Sequence, residues 1–199
     1  MANLNDTQMS ILQKYKKDLR RGDLSRLAKD LTNSIDYSDR CSIIAFLLEH
    51  GVDILKALPF LPSWSLSANL RGVVVLEIPG NIETIRNSAI QDCDSIQEII
   101  IEEGVENIEA NAIVSNENLR KIILPNSLKS LGEKAFASNP KLQEIFIPDS
   151  IRVLPKGLFN NCSEDLIITA NFRENKSDRL KCVEGEREWY KQHLKWIKD

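Results

Sequence analysis

Leu119 to Lys141 reads L-R-K-I-I-L-P-N-S-L-K-S-L-G-E-K-A-F-A-S-N-P-K, and the chain continues from Leu142 to Cys162 as L-Q-E-I-F-I-P-D-S-I-R-V-L-P-K-G-L-F-N-N-C. Set one above the other, the two stretches share their apolar positions at a period of 23 residues. Working outward at that period, Leu76, Ile99, Ile122, Ile145 and Ile168 fall in one column, and Ile78, Ile101, Leu124 and Ile147 in the column two residues on. Further columns hold Ile82, Val105, Leu128 and Ile151; Ile85, Ile108, Leu131 and Leu154; and Ile90, Ile113, Phe136 and Phe159. Ala89, Ala112, Ala135 and Leu158 stand just before the last of these. Ile96, Leu119 and Leu142 close the unit, with Leu166 one residue late. A half repeat precedes the array: Leu61, Pro62, Ser65, Leu66 and Asn69 superpose on Leu154, Pro155, Leu158, Phe159 and Cys162, and Val73 and Val75 then stand against Leu166 and Ile168.

Each unit opens with alternating β-branched residues, a strand of about four residues. It is followed by Pro-Gly-Asn, Glu-Glu-Gly, Pro-Asn-Ser or Pro-Asp-Ser, residues that fix φ or tolerate positive φ. The second half of the unit suits a short helical or a second extended turn. One unit cannot bury its apolar columns alone, so neighbours must stack into a continuous ladder with strands about 4.8 Å apart. Cys93 and Cys162 share a column with Asn116 and Asn139. Those two cysteines lie on the order of 14 Å apart by strand spacing, beyond the roughly 7 Å that a disulfide spans. The column is read as capping buried turn backbone.

These segments resemble the BspA-type leucine-rich repeat family over about Leu58 to Ala170, with a weaker likeness from Leu180 to Leu194 to a closing strand and cap helix. The resemblance implies an α/β solenoid: a short right-handed leucine-rich repeat array with a parallel sheet, used for binding proteins rather than for catalysis. Ile90 stands where the family favours Phe, and Glu102 and Glu103 where it favours Pro. Many members are secreted adhesins; short intracellular or bacteriophage-encoded versions with a helical N-terminal extension are the nearer comparison.

Composition is enough for one ordinary core or for two small units that share one: 199 residues, 42% hydrophobic, 28% charged, with a formal charge of −3 that argues against a polyanion-coating surface. No apolar run approaches the roughly 18 residues of a membrane span, and Met1 to Lys14 reads as no secretion signal. A cytoplasmic location with reduced thiols is therefore expected. The array is flanked by a helical N-terminal unit over 1–57, the repeats occupy 58–170, and a cap occupies 171–199.

Leu12, Tyr15 and Leu19 predict a helix from Asp6 or Thr7 to Gly22; Asp23 caps a second with Leu24, Leu27, Ala28 and Leu31; Ser38 caps a third through Ile43, Ile44, Phe46, Leu47 and Leu48; and Val52 to Leu58 forms a short fourth. Trp189, Tyr190, Leu194 and Ile197, with Trp196 beside them, predict a cap helix over about Glu184 to Lys198. Covering the open ends of a solenoid is the physical task of both units.

Side chains that point away from the interior are where function can sit. Glu77, Ile100, Ile123 and Phe146 form one outward row, and Val75, Glu98, Lys121 and Glu144 the row before it. Glu98, Lys121 and Glu144 alternate in sign, a cross-strand ladder worth a few tenths of a kcal/mol per pair. Ile100, Ile123 and Phe146 would make a contiguous apolar patch and are the partner-binding candidates together with that ladder. Cover by the N-terminal helices or by a second copy in a homodimer is the alternative use of the row. Lys14, Lys16, Lys17, Arg20, Arg21, Arg26 and Lys29 give the helices a basic face, the basis of an alternative nucleic-acid-binding role. Glu102, Glu103 and Glu106 cluster at a solvated turn without an adjoining base or nucleophile, and with no C-x-x-C pair and only two histidines the sequence implies no catalytic, metal or cofactor site.

Overall fold

In the computed structural model, residues 4–67, 70–171, 180–182 and 185–197 are described. Every coil of the repeat region makes its first side from a four-residue-scale strand: β2 (Val75–Ile78), β5 (Glu98–Ile101), β8 (Lys121–Ile123), β10 (Glu144–Ile147) and β12 (Ile167–Asn171). The second side is β3 (Thr84–Ile85), β6 (Asn107–Ile108), β9 (Ser130–Leu131) and β11 (Val153–Leu154), and the third is β1 (Leu66–Ser67), β4 (Ile90–Gln91) and β7 (Ile113–Val114). All pairing is parallel and in register, with Leu76 beside Ile99, Ile99 beside Ile122, Ile122 beside Ile145 and Ile145 beside Ile168. The result is a parallel β-solenoid whose inward columns are buried, with Leu131 alone in its column only partly so. Both halves of the unit are extended, because Ile85 stacks on Ile108 and Ile90 on Ile113 instead of closing a helical turn.

Between these strands the chain turns corners in the left-handed region at two sites per coil. One column is Ser88, Asn111, Lys134 and Gly157, the other Asp92, Ser115, Ser138 and Asn161, all with φ between 52° and 65°. Corner N–H groups donate to the next coil, as Ser88 does to Asn111 O at 3.0 Å and Asn111 to Glu133 O at 3.1 Å, so the turns stack as the strands do. At the remaining corner, between the first and second sides, the chains come so close that a Cβ on Gly104 would lie 2.3 Å from Gly80 O.

The half repeat docks as its sequence suggests at Leu61, which bridges to Ile85, and at Leu66, which pairs with Ile90. Val75 does not take the inward place of Ile168. It pairs with Glu98 and is 45% exposed, because Leu76, one residue on, fills that column and a one-residue slip turns a side chain to the other face. The expectation for Asn69 falls outside the described residues.

Among the described residues five α-helices flank the array, and their limits depart from the sequence reading. The first splits into α1 (Asp6–Lys14) and α2 (Lys16–Arg21), since Arg26 Nη2 donates to Lys14 O at 2.7 Å and Tyr15 turns its ring into the core. Asn5, not Asp6 or Thr7, caps α1, by a capping box with Gln8. Asp23 receives the Ser25 N–H and hydroxyl one residue before the N-cap position, which Leu24 holds, so α3 (Ser25–Asn33) begins without a side-chain cap. Asp36 rather than Ser38 caps α4 (Tyr37–Glu49), accepting from Ser38 N and Asp39 N, because the cap is the residue whose oxygen reaches forward. Ile54–Ala57 is a 3-10 turn, shorter than the fourth helix foreseen, and Asn81 Nδ2 ties it to the array through Leu55 O and Leu58 O. These elements close the first coil, with α4 resting on β1.

At the other end β13 (Lys181–Cys182) pairs with β11, and α5 (Arg187–His193) is followed by a strand, β14 (Leu194–Ile197), paired with β12. The cap helix foreseen over Glu184 to Lys198 is thus only seven residues long. The open edge of β12 outcompetes helix continuation: four backbone positions of β14 register with Ile168 to Asn171. The side chain of Trp196 and residues 183, 184 and 198 lie outside the description.

Candidate interaction surface

Six parallel strands in the order β14-β12-β10-β8-β5-β2 present one broad outer face. Since Leu76 and Ile78 point inward, Val75 and Glu77 point out, and the same alternation runs through β5, β8, β10 and β12. Ile100 registers with Glu77 on one side and Ile123 on the other, and Phe146 with Thr169, so the three apolar residues form one row bounded by a carboxylate and a hydroxyl. Ile123 at its centre is 38% exposed; Ile100 and Phe146 are half-buried by their neighbours. In the row before it Lys121 Nζ lies 3.5 Å from Glu98, with Glu144 next in register to Lys121. The helices close the end of the array rather than lying over Ile123.

Lys14, Lys16, Lys17, Arg20 and Arg21 are all exposed on α1 and α2. Arg26, counted with them in the sequence, is folded back: it pairs with Asp18 at 2.9 Å and sits 5.0 Å over the Tyr15 ring. Asp18 therefore interrupts the basic face. The carboxylates at the first turns have structural partners. Glu103 accepts the N–H groups of Asn126 and Ser127 at 2.8 and 2.9 Å, which hold its carboxyl below the usual range; Glu102 accepts Gly80 N–H at 3.3 Å, and Glu106 pairs with Lys129 at 2.6 Å. They brace one turn against the next.

The Cys/Asn column is a buried polar ladder. Cys93 N–H donates to Asn116 Oδ1 at 3.0 Å and Asn116 N–H to Asn139 Oδ1 at 3.0 Å, while Asn139 Nδ2 donates to Ile113 O and Phe136 O at 2.9 and 2.7 Å. The terminal thiols reach back to carbonyls, Cys93 to Leu66 O at 3.3 Å and Cys162 to Phe136 O at 3.1 Å. Burial raises both thiols, Cys162 to about 11. All four cysteines are free of disulfides.

A concavity lies toward each end of the array. At the cap end, Phe159, Trp189 and Tyr190 wall a hollow of about 270 Å³, but their ring centroids are 5.1 to 6.5 Å apart and pack on one another. At the other end a groove of about 260 Å³ runs between β2 and the segment 51–56. Sequence reasoning missed this groove, because it depends on where the segment 51–56 lies relative to the edge of β2. Among the described residues no cluster of His, Cys, Asp and Glu is arranged to hold a metal, and no helix is long and apolar enough to cross a membrane.

A family model, the BspA type leucine rich repeat region, matches residues 68–178 in six copies. No curated protein matches the chain in sequence. Among solved structures, a leucine rich cell surface protein from Faecalibacterium prausnitzii aligns with 21% identity and a TM-score of 0.46, over 61% of this chain and 35% of its own. The pneumococcal vaccine antigen PcpA aligns with 17% identity and a TM-score of 0.40, over 70% of this chain and 42% of its own. The chain thus spans less than half the length of either.

Proposed function

Since the chain belongs to the BspA-type leucine-rich repeat family, we propose that it is a non-enzymatic interaction module whose protein partner docks on the outer face of the six-stranded sheet. What carries the reading is the apolar row Ile100, Ile123 and Phe146, in line across adjacent strands and flanked by Glu98, Lys121 and Glu144. Adjacent apolar residues on a rigid sheet give a partner desolvated area at little entropic cost, and the charged row beside them sets its register and excludes like-charged competitors.

The deciding experiment is affinity capture from the native host with the double substitution Ile123→Asp and Phe146→Asp. Capture should drop at least tenfold while far-UV circular dichroism keeps its native form, because both side chains point out of the core. Undiminished capture removes this face from the function. Affinity for DNA or RNA that falls steeply with salt would instead move the function to Lys14, Lys16, Lys17, Arg20 and Arg21. A cytosolic setting completes the proposal, supported by four thiols without a disulfide; alkylation in intact cells under denaturing lysis should label all four.

A further inference from the structure

Among the described residues β2 ends the six-stranded sheet and is bonded on one side alone. Glu98 N–H donates to Val74 O at 3.2 Å and Glu102 N–H to Ile78 O at 3.0 Å, so the even-numbered backbone groups face β5. Alternation along the strand turns the N–H and C=O of Val75 and Glu77 the other way, toward an edge with no strand beyond it. Solenoid caps ordinarily cover such edges, and an edge left open is a template for another strand. Here the cover stands off. The groove of about 260 Å³ lies between β2 and the segment 51–56, with Val52, Leu55 and Val73 among its lining residues. Past Val73 it continues into a hollow of about 390 Å³ beside Leu48 and Arg71.

The rim of the groove is acidic. Asp53 is paired with Lys56 at 2.8 Å and Glu102 accepts the Gly80 N–H, whereas Glu77 takes no direct partner among the described residues. The Lys56 ammonium is held above its ordinary value first by Asp53 and, at longer range, by Glu102 and Glu77, so these carboxylates act on the same space.

We propose that the β2 edge is a docking site for an extended peptide that adds to the sheet as a seventh strand, with small apolar residues alternating with lysine or arginine. The two outward-directed peptide groups of β2 supply main-chain hydrogen bonds, which give strand addition its affinity, and the pockets for alternate side chains give it specificity. At about 3.3 Å per residue, a strand as long as β2 occupies four or five residues of the partner. Its apolar side chains face the Val52 and Leu55 wall, and its basic side chains lie beside Glu77. A second copy pairing through its own β2 is the poorer occupant, since two acidic rims would meet. The site meets the Ile100, Ile123 and Phe146 row only at its end, where Glu77 registers with Ile100, and does not rest on that row being a partner surface.

The test uses fluorescein-labelled acetyl-Val-Lys-Val-Lys-Val-amide and anisotropy titration with the full chain. The lysine peptide should bind at least tenfold more tightly than its Val-Glu-Val-Glu-Val counterpart, and alternate N-methylation of its backbone should abolish binding in one of the two registers. Val75→Pro should weaken binding at least tenfold while circular dichroism and urea midpoint hold, because the lost N–H faces away from β5. Glu77→Lys should reverse the preference between the two peptides. The double substitution Ile123→Asp and Phe146→Asp should leave peptide binding unchanged. If Val75→Pro fails to fold, hydrogen exchange in the native chain replaces it, with slowed amides at Val75 and Glu77 expected on binding. No binding of the lysine peptide, binding indifferent to both N-methylation registers, or a concentration-dependent dimer that competes with the peptide would each overturn the proposal.

Discussion

Asn139 makes four hydrogen bonds from one buried side chain: Oδ1 receives Asn116 N–H and Asn116 Nδ2, and Nδ2 serves Ile113 O and Phe136 O. Replacing it with alanine orphans donors and acceptors in a place water cannot reach, each at a cost of about 1–3 kcal/mol. Asn139→Ala should therefore lower the unfolding free energy by about 2–4 kcal/mol, read by urea titration with an unchanged m-value. The role of this column was legible because Asn and Cys recur at the repeat period among apolar neighbours. The left-handed corners were not. Ser, Asn, Lys and Gly at 88, 111, 134 and 157 share no side-chain chemistry, and what unites them is only the φ that the stacked corner imposes. Lys134→Gly should raise stability by up to about 1 kcal/mol through relief of that conformation; a fall of the same size in the urea midpoint would mean that its side chain matters more than its backbone. Tyr15 gives a pH test. Burial first, then the hydrogen bond to Asp30, raises its phenol from 10.0 to about 12. Its protonated form is the one the fold prefers, so its contribution is whole below pH 10 and is lost as pH rises toward 12. Tyr15→Phe should flatten the loss of stability across that window.

At the scale of elements, the strands were readable and the ends of helices were not. β-branched alternation fixes β5 and β10 locally, with Ile99 and Ile101 or Ile145 and Ile147 buried and their neighbours outward. The C-terminal segment carries a helical apolar spacing from Trp189 to Ile197, yet only Arg187–His193 coils. The competing attraction is non-local: β12 offers an unpaired edge, and Leu194 continues the column that ends at Ile168. His193 makes the break possible, its ring stacked on Trp189 with centroids 3.9 Å apart and its two nitrogens 2.7 and 3.0 Å from Trp189 O and Glu164 O. Leu194→Asp should accordingly detach β14. Amide exchange in β12 should accelerate while that in β5 stays slow, and the freed edge should promote concentration-dependent aggregation. Uniform acceleration through every strand would show that the cap is not a separable element. The same competition explains the candidate surfaces. The apolar row was visible because each strand displays it, whereas the β2 groove depends on how far the segment 51–56 stands from a strand, which no local pattern encodes.

For the whole molecule, the interior is a set of straight columns, and each coil meets only the coil before and the coil after. Stability then follows from one term per coil and one per junction, and growth by a coil adds both while changing neither end. Leu119–Lys141 is suited to self-stacking, since Ile122, Leu124, Leu128, Phe136 and Asn139 already face equivalents on both sides. Inserting a second copy of these 23 residues between Lys141 and Leu142 preserves the ladder, with one Asn139 receiving from the other as Asn139 now receives from Asn116. The enlarged chain should fold, lengthen by about 4.8 Å along the array in solution scattering, and unfold at a higher urea concentration with a larger m-value. It should also display a longer apolar row, Ile100, two copies of Ile123, and Phe146. Lower stability would mean that the caps are tuned to one array length, and an unchanged length would mean that the added coil loops out. Either result would deny that the interactions here are those of nearest neighbours.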